Sequence, residues 1–168
     1  IFLQQGTRRS GNMVVLSVAH PDVLDFIVVK KDQNSLAKIN YSLGITDSFM
    51  KAVEKDKSWE LINPRTGKVS KKVKARSIFE AAMVMAWENG DPGMIFLDRI
   101  NKDNPTPQLG PIEAVNLCGE QPLLPYEACN LGSINLTKFL ISEASLRVKK
   151  EIDWSHFAEV VAISVRFL

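Results

Sequence analysis

Histidine and cysteine are scarce in this sequence, with two of each in 168 residues. No Cys-x-x-Cys pair occurs, and His20 and His156 lie far apart, so no zinc or other metal site is assigned. Two thiols do not make a disulfide framework, which points to a reducing, cytoplasmic setting. Charge of one sign is also lacking. A formal net charge of +2 is too small to direct the chain to nucleic acid or to a membrane surface. No apolar run approaches the roughly 20 residues that a membrane helix needs, and nothing resembles a signal peptide. Internal repeats, low-complexity tracts and linkers are missing as well, so the sequence reads as one structural unit. The first residue is Ile1 rather than Met, and a helical pattern still runs at Leu168; both ends read as cut.

What is present is a globular balance of 45% hydrophobic and 24% charged residues, enough for one domain with a core. Gln4 to Gly11 reads as a polar loop held between Gly6 and Gly11. Met13 to Val18 reads as a buried strand, and His20-Pro21-Asp22 opens a helix that buries Val23, Phe26 and Ile27. Tyr41, Leu43 and Ile45 alternate with Ser42 and Gly44, the period of a strand. A helix follows from about Asp47, burying Phe49, Met50 and Val53. Trp59–Ile62 and Val69–Val73 flank Asn63-Pro64-Arg65-Thr66-Gly67, which predicts a hairpin. Ser77 is placed as the cap of the next helix, with Ile78, Phe79, Ala82, Met83 and Ala86 on one face and Gly90 as its stop. Met83, Met85 and Trp87 read as core packing, with Trp87 turned from the main stripe. Met94–Leu97 is a short buried strand, Asn101–Pro111 a loop, and Asp153 the cap of a last helix offering Trp154, Phe157, Val160, Val161 and Ile163 for burial. Strands separated by amphipathic helices predict an α/β fold with largely parallel pairing. Lys68, Lys71, Lys72, Lys74 and Arg76 read as a solvated face, and His156 as a surface histidine.

The segment richest in chemistry is Asn116-Leu117-Cys118-Gly119-Glu120-Gln121-Pro122. In an extended segment, Asn, Cys and Glu at every second residue share one face, about 6.6 Å apart from one to the next. Such a face offers an amide, a sulfur and a carboxylate to one small substrate. Glu suits general acid–base work, and Cys can serve as a nucleophile or a one-electron centre. Pro122 and Pro125 cannot donate to a sheet ladder, so a loop projecting into a cavity fits better than a central strand. Cys129 follows eleven residues later. By spacing alone either thiol could equally be a buried structural cysteine.

The run from Asn116 to Leu136, with its wording Cys-Gly-Glu-Gln-Pro-Leu, closely resembles the finger loop of ribonucleotide reductases, in the form of the adenosylcobalamin-dependent class. Gln4 to Phe26 looks like the family's second specificity loop with the strand and helix after it, and Asp91 to Asn101 also matches. The resemblance implies a section of a ten-stranded α/β barrel with a central finger loop from Asn116 to about Leu131. It implies reduction of ribonucleoside di- or triphosphates to deoxyribonucleotides by thiyl-radical chemistry. Cys118 matches the radical-bearing cysteine that abstracts the ribose 3′ hydrogen, Glu120 the base that takes the 3′-hydroxyl proton, and Asn116 the amide that holds the ribose hydroxyls. Cys129 matches one of two cysteines whose oxidation to a disulfide supplies two electrons; its partner lies upstream in the family and is not in this chain. Gln4, Gly6, Arg8, Arg9 and Gly11 match the loop that relays a deoxynucleotide effector's identity. The resemblance also implies adenosylcobalamin as cofactor and a thioredoxin-like reductant. Open sheet edges of a barrel section would favour self-association as a homodimer. Two alternatives stay open: the class whose radical comes from a separate metal-containing subunit, and a segment acting only as a nucleotide-binding or structural module. The missing cysteine and phosphate loop lead to an expectation of no turnover by this segment alone.

Overall fold

A computed structural model describes residues 11–31, 39–141 and 151–168. The specificity-loop residues Gln4, Gly6, Arg8 and Arg9 lie outside the described residues. The chain divides into two compact units, residues 1–127 and 128–168.

The first unit is built on three parallel strands, β1 (Asn12–Ser17), β2 (Ile39–Ile45) and β5 (Gly93–Phe96), in the order β1-β2-β5. Helix α1 (Val23–Val28) lies between β1 and β2 in the chain. Helix α2 (Asp47–Glu54), the antiparallel hairpin β3 (Ser58–Ile62) and β4 (Val69–Lys74), and helix α3 (Ala75–Asn89) separate β2 from β5. The α/β class expected from the sequence is present and this central sheet is parallel, but pairing is not largely parallel: among the described residues two strand pairs are parallel and three antiparallel. The described residues form an open sheet and not a closed barrel.

The central strand differs from the expected pattern in an instructive way. Residues Tyr41 to Ile45 are all buried, so the alternation of large and small residues in β2 is not an alternation of core and solvent. Leu43 and Ile45 enter the core beneath the helices, with Val18, Val23, Ile27, Phe49, Leu61 and Ile78. On the other face, small residues make room: a Cβ at Gly44 would come within 2.8 Å of Leu97 Cδ1. A strand covered on both faces needs this size alternation to pack without voids or clashes.

The start of α2 and the end of α3 have local causes; the start of α3 does not. Thr46 Oγ1 accepts from the Phe49 N–H at 3.2 Å and caps α2. Ser77 does not cap α3. Strand β4 runs directly into that helix from Lys74, and the Ala75 N–H donates to the Lys57 carbonyl at 3.0 Å. Gly90 ends α3 in the left-handed conformation, φ 87°, with its N–H on the Ala86 carbonyl. The buried stripe of α3 is Ala75, Ile78, Ala82 and Met85. Met83 lies one helical step off that stripe and is exposed, as is Trp87 at 88%. Helix α1 begins at Val23, after a turn containing Pro21 and Asp22, and Phe26 is half-buried edge-on to Tyr41 with centroids 5.1 Å apart. Helix α4 (Leu97–Lys102) begins at the last residue of the expected strand Met94–Leu97 and runs into the loop expected over Asn101–Pro111, in which residues 107–109 form a 3₁₀ turn.

Phe49 is fully buried and meets Trp59 edge-on at 5.2 Å. Replacing it with alanine removes a ring that no neighbour can replace. Phe49→Ala should lower unfolding stability by about 3–5 kcal/mol, read as a shift in the urea midpoint. A loss below about 1 kcal/mol, the level of an exposed residue, would contradict this core.

The first unit ends in a small antiparallel ladder, β6 (Ala114–Val115) with β7 (Pro122–Leu123). The second unit contains a 3₁₀ turn at Leu136–Phe139, the antiparallel pair β8 (Leu140–Ile141) and β9 (Glu151–Ile152), and helix α5 (Trp154–Phe167). Asp153 caps α5 as expected, its Oδ1 accepting from the His156 N–H at 2.9 Å. Phe139 is the buried residue here, edge-on to Phe157 at 5.2 Å. Phe157, Val160 and Val161 are half-buried, whereas Trp154 and Ile163 are exposed.

Candidate functional site

The ladder β6–β7 presents residues 116–121 as its tip, and Asn116 closes that tip three times. Its N–H donates to the Gln121 carbonyl at 3.0 Å, and its carbonyl accepts from the Gly119 N–H at 3.1 Å. Its side-chain Oδ1 accepts from the Gln121 N–H at 3.0 Å. The carboxamide oxygen is thereby committed to the loop, and the Nδ2 donors face no such demand. Gly119 takes φ 81°, a backbone state that an L side chain adopts only with strain, so glycine after Cys118 is a condition of the turn.

This turn corrects the premise of an extended segment. Asn116, Cys118 and Glu120 share a six-residue tip, not one face of a strand. The loop reading itself holds: Pro122 occupies a two-residue ladder opposite Val115, where a missing N–H costs little. Cys118 and Glu120 are exposed, and Asn116 is half-buried. Both cysteines are free thiols. Cys129 is half-buried and belongs to the second unit, where its neighbour Asn130 donates through Nδ2 to the Leu168 carbonyl at 3.1 Å. The loop read as Asn116 to about Leu131 thus runs from the end of one unit into the start of the next.

Two anchors that the sequence reading missed hold the tip to the sheet. Asn40 Nδ2, at the start of β2, donates to the Leu117 carbonyl at 2.8 Å. The Leu117 side chain lies over Gly11, where an added Cβ would meet Leu117 Cδ2 at 2.7 Å and Cδ1 at 2.8 Å. A Cβ at Gly11 would meet the end of the Leu117 side chain, so the glycine here serves close approach.

Below the tip, a cleft of about 460 Å³ is lined by Arg99, Ile100, Asn104, Ile112, Pro122 and Leu124, among others. Asn116, Cys118 and Glu120 do not line it. The basic run on β3–β4 is a solvated face of exposed ion pairs, Lys72–Glu60 at 2.7 Å and Lys74–Asp56 at 3.2 Å. His156 is exposed beside Glu159 at 3.8 Å. Among the described residues, no group of three or more His, Cys, Asp or Glu gathers as a metal site, and no helix is long and apolar enough to cross a membrane.

Comparison with known proteins matches residues 1–168 to the family model described as ribonucleotide reductase, barrel domain. A vitamin B12-dependent ribonucleoside-diphosphate reductase of Thermoplasma acidophilum is 46% identical over 169 residues, covering 100% of this chain and 21% of that relative. One of Mycobacterium tuberculosis is 48% identical over 164 residues, covering 97% of this chain and 23% of its own length. A vitamin B12-dependent ribonucleotide reductase of Streptomyces avermitilis is 34% identical over 182 residues, covering 95% of this chain and 19% of its own. The chain spans about a fifth of the length of these relatives. On the family match across its whole length, the chain belongs to the ribonucleotide reductase barrel-domain family.

Proposed function

We propose that this segment carries the radical cysteine of a B12-dependent ribonucleotide reductase, within a ten-stranded barrel completed by polypeptide beyond it. The overall reaction converts a ribonucleotide and a dithiol to a deoxyribonucleotide, a disulfide and water. The observation that carries the reading is the tip itself. A free thiol, Cys118, stands between a conformationally required Gly119 and a carboxylate, Glu120, on a turn closed by the Asn116 amide.

Each side chain then has a task that fits its chemistry. The Cys118 thiyl takes the 3′ hydrogen atom of the ribose, leaving a carbon radical at C3′. Glu120 takes the proton of the 3′-hydroxyl, which helps the neighbouring 2′-hydroxyl leave as water. The Asn116 Nδ2 group, free of the loop's own hydrogen bonding, holds the sugar hydroxyls. Cys129 and a second cysteine outside this chain become a disulfide and supply two electrons and two protons. Cys118 finally returns a hydrogen atom to C3′ and is again a thiyl. Adenosylcobalamin, when bound, supplies the radical that is passed to Cys118; no residue of this segment is assigned to holding it. Exposure of Cys118 in the described residues leaves the thiol reachable, and the rest of the barrel would shield it from water. Gln4, Gly6, Arg8, Arg9 and Gly11 belong in this proposal to the effector-reading loop. A thioredoxin-like protein restores the dithiol, and the enzyme works in the cytoplasm as a homodimer.

The test is cofactor dependence of a full-length reductase carrying this segment. Deoxynucleotide formation should require adenosylcobalamin and need no metal-containing radical subunit. Activity restored only by such a subunit would assign the chain to the other class, and its substrate, di- or triphosphate, would be read in the same assay.

A further inference from the structure

The tip that bears Cys118 is exposed, yet hydrogen-atom abstraction requires its sulfur in one place. Near-attack geometry is demanding, and a displacement of about 1 Å can cost about 100-fold in rate. The hydrogen bonds that close the tip fix its internal shape but not its placement on the sheet. Strand β6 packs against β1 at the base of the tip, and two contacts, both on Leu117, carry that placement into the tip itself.

The Leu117 carbonyl and the Cys118 N–H belong to one planar peptide unit. Whatever holds that oxygen holds the plane from which the Cys118 Cα departs. Asn40 Nδ2 holds it at 2.8 Å, across 77 residues of sequence. Asn40 itself is fixed in β2, in register with Met13 of β1, inside a ladder of six paired positions. Gly11, the residue before β1, sits under the end of the Leu117 side chain, where a Cβ would meet Cδ2 at 2.7 Å and oblige the leucine to shift. Leu117 is thus gripped at its carbonyl by one strand and seated through its side chain on the residue that leads into the next.

We propose that Asn40 and Gly11 form a seat for Leu117 and that Asn40 is a positioning residue for the Cys118 sulfur. This rests on the assignment of Cys118 as the radical carrier. Asn40 touches neither substrate nor thiol; it acts through the 117–118 peptide.

The experiment uses a full-length reductase carrying this segment, with Asn40→Asp, Gly11→Ala, Leu117→Ala, the Gly11→Ala/Leu117→Ala double variant, and Cys118→Ser as control. Asn40→Asp keeps size and shape but, when ionised, turns an acceptor toward the Leu117 carbonyl. Its kcat should fall about 10-fold with KM within about threefold of wild type, since loss of one hydrogen bond and a small misplacement are at stake. Amide exchange at Gly119 and Gln121 should quicken in the same variant while β1 and β2 exchange as before. Gly11→Ala should lower kcat, and removing the Leu117 side chain should relieve that defect, giving effects that do not add. Unchanged kcat and unchanged tip exchange in Asn40→Asp would overturn the seat. So would a defect confined to KM, or strict additivity of Gly11→Ala and Leu117→Ala. Cys118→Ser separates this proposal from the one beneath it. If it keeps multiple turnovers the radical assignment fails; if it is inactive while Asn40→Asp behaves as wild type, only the seat fails.

Discussion

Cys118→Ser in a full-length reductase carrying this segment should form no deoxynucleotide above background. Serine is nearly isosteric with cysteine, and Cys118 is exposed at the tip, so the fold has little to lose. Exposed substitutions away from caps and cores usually stay within about 0.5 kcal/mol of wild type. The turn's demands fall on Asn116 and Gly119, whose hydrogen bonds and backbone angle the substitution leaves alone. What changes, on the proposed mechanism, is the bond broken and remade in each cycle. A hydroxyl gives up its hydrogen atom far less readily than a thiol, and no neighbouring group at the tip can replace that relay. Nucleotide binding should persist, because Asn116 and Glu120 remain. Multiple turnovers by the serine variant would remove Cys118 from the mechanism.

Glu120→Gln should lower kcat by about 10²–10⁴-fold, the usual worth of a positioned general base, with KM much less affected. The amide keeps the length and most of the hydrogen-bonding capacity of the carboxylate, so it can still contact the sugar. It cannot accept the 3′-hydroxyl proton at neutral pH. Glu120 is exposed and its carboxylate anchors no part of the tip, unlike Glu127, whose Oε2 accepts from the Leu124 N–H at 2.8 Å. Loss of fold is therefore a poor explanation for a fall in kcat. An increase in KM with kcat unchanged would recast Glu120 as a binding group and refute the base role.

The parts of the fold legible in the sequence are those set by local chemistry. Asn63-Pro64-Arg65-Thr66-Gly67 predicts a hairpin because Asn63 Oδ1 can accept from the Arg65 and Thr66 N–H groups and Gly67 can take φ 66°. Asp153 and Gly90 mark helix ends for equally local reasons. Errors arise where a neighbour distant in sequence decides. Ser77 carries the right chemistry for a cap, but the β4 hairpin delivers the chain to α3 three residues earlier. Met83 and Met85 are alike in character, and only the packing of α3 selects Met85 for the core. Alternation in β2 resembles that of a half-exposed strand because a residue's period does not reveal that α4 covers the second face.

The site divides in the same manner. Asn116, Cys118 and Glu120 stand out as residues because amide, thiol and carboxylate fall within five positions. Their conformation does not, since an i, i+2 pattern belongs to a strand and equally to a glycine-bearing turn. Asn40 is invisible from sequence, as nothing near it is polar in a telling pattern. Its significance comes from the β1–β2 register and from the return of the chain 77 residues later. Cys129 was linked to Cys118 by resemblance alone, and the two thiols fall in separate compact units.

In the proposed reaction these two cysteines divide the labour, and a single-turnover experiment separates their roles. Full-length enzyme is fully reduced, freed of external dithiol and given excess ribonucleotide, and deoxynucleotide is counted per active site for wild type, Cys118→Ser and Cys129→Ser. Cys118→Ser should give no product. Cys129→Ser should give a partial reaction or a single turnover, and added reductant should not restore sustained turnover. Product from Cys118→Ser, or sustained turnover by Cys129→Ser once reductant is restored, would contradict that division of labour.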